Sequence, residues 1–230
     1  MYKILERIIL DRLIKHREET TRDEQAGFRP GRSTSDQVII VRRVIEIWQR
    51  YSKLGQLAFL DFEAAFDSPH RVRLLNALRA DGVPGKFVRL LDYINQRTTA
   101  AIRTAAGCTP PFEVVPHRRH YAKNSRSVSY RYHSSTITTS LDFEYADDVA
   151  IFAESSTKLQ HVVNLVSKLA AAYGLRLFPD KCRQMWISSR PRTGIRVGGQ
   201  PIELVDELCY LCCTLRNNRR LRERCSAKMR

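Results

Sequence analysis

The sequence predicts an α+β fold in which the strands pair antiparallel. Segments with a helical spacing of apolar residues alternate irregularly with short apolar runs, without the regular strand–helix–strand repeat of a parallel sheet. Several of the short runs are separated only by turn residues, which is typical of antiparallel hairpins. With 43% hydrophobic and 27% charged residues, the 230-residue chain has the composition of a globular protein with a sizeable core.

The first part of the chain predicts two helices and a strand. Apolar residues recur at helical spacing over residues 2–17, which indicates the first helix. A polar loop, QAGFRPGRSTSDQ, follows it. Thr34 with Gln37 three residues later indicates a capping box that opens a second helix, and its apolar stripe runs to about Tyr51. Gly55 ends that helix, and QLAFLDF predicts a short buried strand.

The middle of the chain predicts two more helices and a strand pair. Ser68–Pro69 is typical of a helix start, and Gly82 of its C-terminal end. Pro84 begins the next helix. The runs TTAAIRT and FEVV then predict two strands around a turn that contains Gly107 and Pro110–Pro111.

The second half of the chain predicts a hairpin, a long helix and further short strands. LDFEYA and VAIFA are two apolar runs that meet at Asp147–Asp148, which we expect at the tip of a hairpin. Ser155–Ser156 opens the helix and Gly174 ends it. The runs RLF, MWIS, IRV, PIELV and CYLCCTL predict short strands, two of them joined by a Gly198–Gly199 turn.

Two segments break this order. Residues 117–140 contain no Leu, Phe, Met, Asp or Glu and show neither a helical period nor sustained alternation. The tail over residues 216–230 is strongly basic and has no apolar stripe. Because both offer almost no apolar surface to offset the entropy of ordering, we expect both to stay out of the core, and 117–140 to be poorly ordered or weakly packed.

Charge and cysteine usage narrow the class of function. The chain has 39 Lys and Arg against 24 Asp and Glu, a net charge of +15, which favours a polyanionic partner, above all nucleic acid. No run of eighteen apolar residues is present and the N-terminus lacks the apolar block of a signal peptide, so the sequence predicts no membrane span. Six scattered cysteines do not resemble a disulfide framework. We therefore expect an intracellular protein rather than a secreted one.

Acidic residues at strand ends are the sharpest chemical feature. Asp61 follows the buried strand LAFL, and Asp147 and Asp148 lie at the tip of the predicted hairpin. Three carboxylates brought together repel one another unless divalent cations neutralise them, and a two-metal phosphoryl-transfer centre uses such a group. The alternative is that these are ordinary turn acids, since Asp is common in turns.

Five motifs in order resemble those of reverse transcriptases. LDFEAAFDS, YADD, GLRLFPDKC and CYLCCTL are similar to the palm motifs, and QAGFRPGRSTSDQ resembles the fingers segment of the non-LTR retrotransposon branch. The resemblance implies a right-hand polymerase palm, an antiparallel sheet backed by helices, with partial fingers and no thumb. It divides the chain into partial fingers over 1–55, a palm over 56–215 with an aberrant segment at 117–140, and a basic tail over 216–230. It also implies a piece of a larger element-encoded protein.

The resemblance implies a role for each acid and for one lysine. Asp61 and Asp147 would be the principal metal ligands and Asp148 the third catalytic acid, together holding two Mg²⁺ ions, with Mn²⁺ as the alternative ion. Lys181 would meet the triphosphate and protonate the leaving group.

The same resemblance implies substrate contacts. Phe62 would lend its backbone carbonyl to the metal, and Phe66 would be the bulky aromatic that excludes a ribose 2′-hydroxyl. Arg29 and Arg32 would clamp phosphates, for which the planar guanidinium is well suited; the alternative for both is a flexible basic loop on the template backbone. CYLCCTL would be the hairpin that grips the primer, although the family has Gly and Ser where Cys212 and Cys213 stand.

The implied function is RNA-directed DNA polymerase activity on an RNA template, a DNA primer and deoxynucleoside triphosphates, in the nucleus when the protein acts at its genomic target. One departure leads us to expect that this activity is impaired in this chain. Where the family has a segment with Gln-Gly and Ser-Pro that positions nucleotide and template, this chain has residues 117–140. A non-catalytic nucleic-acid-binding remnant of the domain is therefore the alternative, and Mg²⁺-dependent primer extension distinguishes the two.

Overall fold

The computed structural model describes residues 2–18, 23–27, 29–65, 70–96, 99–104, 107–113, 141–187 and 193–217. The helices are α1 (Tyr2–Glu18), α2 (Thr34–Arg50), α3 (Arg71–Ala80), α4 (Gly85–Gln96) and α5 (Ser156–Ala172). The strands of the first half are β1 (Gln56–Leu60), β2 (Phe62–Glu63), β3 (Thr99–Ala100), β4 (Arg103–Thr104), β5 (Gly107–Cys108) and β6 (Phe112–Glu113). Those of the second half are β7 (Leu141–Tyr145), β8 (Asp148–Ala153), β9 (Arg176–Leu177), β10 (Arg183–Trp186), β11 (Arg196–Val197), β12 (Gln200–Pro201), β13 (Glu203–Val205), β14 (Glu207–Tyr210) and β15 (Cys213–Arg216).

The chain divides into two units. The first takes its described residues from Met1–Thr21, Ala64–Arg131 and Ala172–Leu175, and the second from Arg22–Glu63, Tyr132–Ala171 and Arg176–Arg230. The division of the sequence into fingers and palm at residue 55 stays a prediction. The predicted aberrant segment 117–140 and nearly all of the basic tail lie outside the described residues.

The first unit contains three helices and two short strand pairs. Helices α1, α3 and α4 share one apolar cluster, and the His16 ring is joined to the Asp81 carbonyl at 3.1 Å. Gly82 ends α3 with φ +77°, as its position predicted. The strand pair predicted from TTAAIRT and FEVV is also present, with β3 paired to β6 and β4 to β5. The buried members of the cluster are Ile9, Leu13, Leu74, Leu75, Ala77, Leu78, Val83, Val88 and Leu91.

A five-stranded sheet in the order β13-β10-β1-β8-β7 forms the second unit. All its pairs are antiparallel except β10–β13, which is parallel. The central strand β1 is buried along its whole length, which explains why its sequence QLAFL is nearly continuously apolar rather than alternating. The α+β prediction is confirmed, and the parallel pair at the edge is the departure from it.

Helix α2 packs on one face of this sheet. Val38, Val41 and Ile45 point at the sheet, and each buried aliphatic side chain of this size contributes about 1.5–3 kcal/mol. Beside them, the rings of Trp48 and Phe152 meet edge to face with centroids 5.7 Å apart. On the sheet side the cluster contains Leu57, Phe59, Ala150, Phe152, Met185 and Ile187. Among the described residues no helix is long and apolar enough to cross a bilayer.

The cap of α2 differs from the predicted one by one residue. Ser33, not Thr34, is the N-cap: its hydroxyl accepts from the Asp36 amide at 3.2 Å, and the Asp36 carboxylate accepts from the Ser33 amide at 3.0 Å. Gln37 is not available for the cap, because its side chain is buried and donates to backbone carbonyls at 3.4 Å. Two overlapping capping patterns in STSDQ made the sequence ambiguous here.

Gly55 is a position where the fold depends on the absence of a side chain. A Cβ there would lie 2.0 Å from the Trp48 ring, inside the cluster that joins α2 to the sheet. We expect Gly55→Ala to lower the free energy of unfolding by about 1–3 kcal/mol through overpacking, measured by urea denaturation. Gly85→Ala is the control, because its nearest contact is the end of Arg89 at 3.5 Å. Equal stability of the two variants would contradict the packing described for Trp48.

Candidate active site

Strand pairing brings two of the predicted acids together. Leu60 of β1 pairs with Val149 of β8, so the next residue beyond this pair on each strand, Asp61 and Asp148, lies at the same sheet edge. Both residues line one cavity of about 570 Å³. The turn between β7 and β8 consists of Ala146 and Asp147, one residue earlier than the predicted tip at Asp147–Asp148, since Asp148 already pairs with Tyr145. Ala146 makes this tight turn with φ +62°.

The electrostatics of Asp61 show that the acids influence one another. Burial raises the pKa of the Asp61 carboxyl above its ordinary value, and the negative charge of Asp147 raises it further. The Lys181 ammonium and the backbone N–H of Phe62 act in the opposite direction without cancelling the rise. A half-buried carboxylate with a second one close by is a favourable position for an additional cation.

Lys181 lines the same cavity as Asp61 and Asp148 but belongs to a different element of the fold. It ends a 3₁₀ helix, Pro179–Lys181, which is tied to the site because the Phe178 amide donates to the Asp61 carbonyl at 2.9 Å. Its Nζ lies 3.8 Å from Asp61 Oδ2 and 5.3 Å from the centroid of the Phe178 ring. The side chain is 61% exposed, so this ion pair holds it only weakly.

The hairpin β14–β15 forms part of the cavity wall. Cys209 and Leu211 line the cavity, and the buried Tyr210 ring lies 5.1 Å from that of Phe59. Leu211 and Cys212 form the turn with φ +47° and +64°, a conformation that favours Gly or Asn. The predicted CYLCCTL hairpin is therefore present, with a strained tip beside the acids.

Arg183 is a cavity residue that the sequence did not single out. It follows Lys181 at the start of β10, and its Nε donates to Glu203 of the parallel neighbour β13 at 3.0 Å. The parallel pairing that brings Glu203 to it has no signal in the local sequence.

The segment before α2 that carries Arg29 and Arg32, called here the arginine-rich loop, lies against the β7–β8 hairpin, whose turn contains Asp147. The Ala26 amide donates to the Glu144 carbonyl at 2.9 Å, and the Glu144 amide donates to the Glu24 carbonyl at 3.1 Å. Arg29 points inward with 8% of its side chain exposed, and its guanidinium donates to the Gln25 carbonyl at 3.2 Å. Arg32 is 39% exposed and contacts Asp23 at 3.0 Å.

Two of the predicted site residues remain, Phe62 and Phe66, and the structure describes only Phe62. Phe62 pairs with Leu177 between β2 and β9, and its side chain is buried. Phe66 lies outside the described residues. Within the described ranges, no group of three His, Cys, Asp or Glu side chains is already assembled to hold a metal ion. The site nevertheless offers the hard oxygen donors that Mg²⁺ prefers, with Asp147 acting on Asp61, and in that respect the residues fit the ion.

The raised pKa of Asp61 has a measurable consequence for stability. The folded chain holds the Asp61 proton more tightly than the unfolded chain, so this group stabilises at low pH and that contribution disappears as the pH rises through the folded pKa. We therefore expect Asp61→Asn to raise the melting temperature more at pH 7 than at about pH 4. A gain that is larger at the acidic pH would contradict the electrostatics described for Asp61.

Comparison with known proteins gives the family. The chain matches the model of the reverse transcriptase (RNA-dependent DNA polymerase) family over residues 1–215. It is 26% identical over 184 residues to the Pol polyprotein of the type-2 retrotransposable element R2DM of Drosophila melanogaster, which covers 73% of this chain and 17% of that protein. It is 24% identical over 238 residues to the RNA-directed DNA polymerase of the mobile element jockey of the same species, covering 93% of this chain and 25% of the relative. The chain thus spans at most a quarter of these relatives.

Solved structures agree on the fold. Telomerase from Candida tropicalis, bound to a fragment of telomeric RNA, aligns with a TM-score of 0.59 at 10% identity, covering 83% of this chain and 34% of that one. The apo telomerase of the same species aligns with a TM-score of 0.56, covering 94% and 39%. The resemblance of the five motifs is confirmed by the family match, and the chain belongs to the reverse transcriptase family.

Proposed function

We propose that this chain is the polymerase domain of a non-LTR retrotransposon protein and transfers a nucleotide from a deoxynucleoside triphosphate to a primer 3′-hydroxyl on an RNA template. The observation that carries the proposal is the convergence of Asp61, Asp148 and Lys181 on one cavity, with Asp147 acting on Asp61 from the adjacent turn. In a member of this family, that set of groups matches what phosphoryl transfer needs.

Asp61, Asp147 and Asp148 would hold two Mg²⁺ ions, with Mn²⁺ as the alternative ion. When bound, the ions would activate the attacking hydroxyl and stabilise the charge of the leaving pyrophosphate. The chain itself contributes the fixed placement of the carboxylates, because β1 and β8 set the spacing of Asp61 and Asp148 through their register.

Lys181 would bind the triphosphate and donate a proton to the departing pyrophosphate oxygen. Its exposed ammonium lies at the cavity and is held only at 3.8 Å by Asp61, so it can turn toward a phosphate without losing a strong partner. An ammonium with three donors suits a flexible phosphate chain. Arg183, on the next strand, adds a second positive charge to the same wall.

The other substrate contacts rest on position in the motifs. Phe66 is proposed as the aromatic that excludes a ribose 2′-hydroxyl, and the Phe62 carbonyl as a metal contact. Of the two loop arginines, Arg32 is better placed for a phosphate because it is more exposed, whereas Arg29 would first have to leave the Gln25 carbonyl. A template RNA and a DNA primer are the proposed partners, and the +15 charge supports binding to polyanions of this kind.

The proposal is tested by nucleotide incorporation on a primed RNA with Mg²⁺ or Mn²⁺, beside Asp147→Ala. Incorporation that depends on the template and disappears in Asp147→Ala supports it. Salt-sensitive binding of primed RNA without any incorporation would favour the alternative, a non-catalytic remnant of the domain. Neither binding at low salt nor incorporation would contradict both.

A further inference from the structure

Gln25 joins the arginine-rich loop to the hairpin that carries Asp147. It is 4% exposed, and its backbone forms a parallel bridge to Glu144 of β7, flanked by the two hydrogen bonds between this loop and Glu144. The loop therefore adds a short edge to the sheet directly before the turn. The proposed reaction gives no role to the buried side-chain amide of Gln25.

The side chain of Gln25 reaches the turn itself. Its Oε1 accepts from the amide of Ala146 at 3.1 Å and from the amide of Gly27 at 2.7 Å, while its Nε2 donates to Glu144 Oε2 at 3.2 Å. Ala146 is the residue with φ +62° that immediately precedes Asp147. A non-glycine residue in this conformation is strained and persists only when its surroundings hold it.

Gly27 brings the loop backbone onto the same turn. A Cβ on Gly27 would lie 2.1 Å from the Ala146 nitrogen and 2.7 Å from its Cα, so the loop touches the turn backbone directly. The loop therefore covers the Ala146 amide, and this amide donates a hydrogen bond to Gln25 Oε1. Removing that acceptor would leave a buried donor unsatisfied at the base of Asp147.

We propose that Gln25 is a positioning residue that fixes the Ala146–Asp147 turn, and with it the direction of the Asp147 carboxylate, for metal binding. The inference rests on the proposed function, since it assumes that Asp147 is a metal ligand. Partners that orient a metal ligand typically change metal affinity or activity by about 10–100-fold when removed.

Gln25→Met tests this, because methionine keeps the length and shape of glutamine and removes both polar groups. Gln184→Met is the matched control: Gln184 is also fully buried, and its Oε1 also accepts a backbone amide, from Ile195 at 2.9 Å. Two properties are measured on the full chain: Mn²⁺ affinity by electron paramagnetic resonance, and hydrogen exchange of the peptide containing Ala146 and Asp147. Melting temperatures show whether the two variants are destabilised alike.

We expect Gln25→Met to weaken Mn²⁺ binding by about tenfold or more and to speed exchange in the turn, while Gln184→Met changes neither. If both variants lower the melting temperature but leave affinity and turn exchange as in the unsubstituted chain, Gln25 is merely structural and the inference is wrong. If Gln25→Met does not fold, Gln25→Asn, which keeps the amide but is one methylene shorter, replaces it with the same expected results. If Asp147→Asn binds Mn²⁺ as tightly as the unsubstituted chain does, the proposed function itself is contradicted, and the inference with it.

Discussion

Asp61→Asn and Asp147→Asn are each expected to weaken Mn²⁺ binding by more than about 100-fold, beyond the range reached by changing groups that only orient a ligand. Asparagine keeps the size of the side chain but removes the charge and one of the hard oxygen donors. The effect should be large at Asp61, because its carboxylate lies at the cavity beside Asp148 and feels the charge of Asp147. Titration of the free Mn²⁺ signal by electron paramagnetic resonance measures it.

Asp180→Asn is the control for this measurement. Asp180 lies in the same 3₁₀ helix as Lys181 and is exposed, so its substitution removes one negative charge near the site without removing a proposed ligand. We expect its Mn²⁺ affinity to stay close to that of the unsubstituted chain. Equal weakening in all three variants would mean that general charge, rather than a site at Asp61 and Asp147, attracts the ion.

Primer extension is expected to be slower by orders of magnitude in this chain than in a chimaera whose residues 117–140 are replaced by the corresponding segment of the R2DM relative. The carboxylates and Lys181 are present, but the resemblance of the motifs implies that residues 117–140 stand where the family has the segment that positions nucleotide and template. Holding reacting groups in line accounts for about 7–11 kcal/mol of barrier lowering, so losing part of it slows the reaction steeply. Single-nucleotide incorporation on a primed RNA measures both proteins.

Residues 117–140 contain five of the Lys and Arg residues and no Asp or Glu, so replacing them changes the charge available for binding RNA; primed-RNA binding is therefore measured for both proteins, and incorporation is compared at primed-RNA concentrations that saturate each of them. Asp147→Ala in the chimaera is the control for incorporation that depends on the site. Rapid extension by the unsubstituted chain would show that residues 117–140 do not impair it. A chimaera that binds RNA and remains inactive would show that the missing positioning lies elsewhere.

The parts of the fold that the sequence predicted are those with a local signal. The buried run LAFL and the paired runs around YADD place Asp61 and Asp148 at strand ends, and their antiparallel pairing brings them to one edge. Gly82 and Gly174 end their helices with positive φ, as a C-terminal glycine commonly does. The predicted hairpin tip was one residue too late, because Asp148 already pairs with Tyr145 and the turn consists of Ala146 and Asp147.

The parts that the sequence did not predict depend on distant contacts. Gln25 meets Ala146 across 121 positions of the chain, and nothing near Gln25 in the sequence signals that contact. Arg29 was predicted to clamp phosphates, and in the structure its guanidinium is turned inward and donates to the Gln25 carbonyl. The parallel pair β10–β13 also joins segments through non-local hydrogen bonds. Local patterns identify candidate residues, whereas their partners come from the assembled sheet.

The most direct test of the account is a crystal structure of the chain grown with Mn²⁺ and a non-hydrolysable deoxynucleotide, with the ion located by anomalous scattering. The account predicts a Mn²⁺ peak in direct contact with carboxylate oxygens of both Asp61 and Asp147, as hard divalent ions bind oxygen ligands. Lys181 should then contact the triphosphate rather than Asp61. Carboxylates of Asp61 and Asp147 lying more than about 10 Å apart, with no ion between them, would contradict a shared metal centre, since two catalytic ions themselves lie only about 4 Å apart.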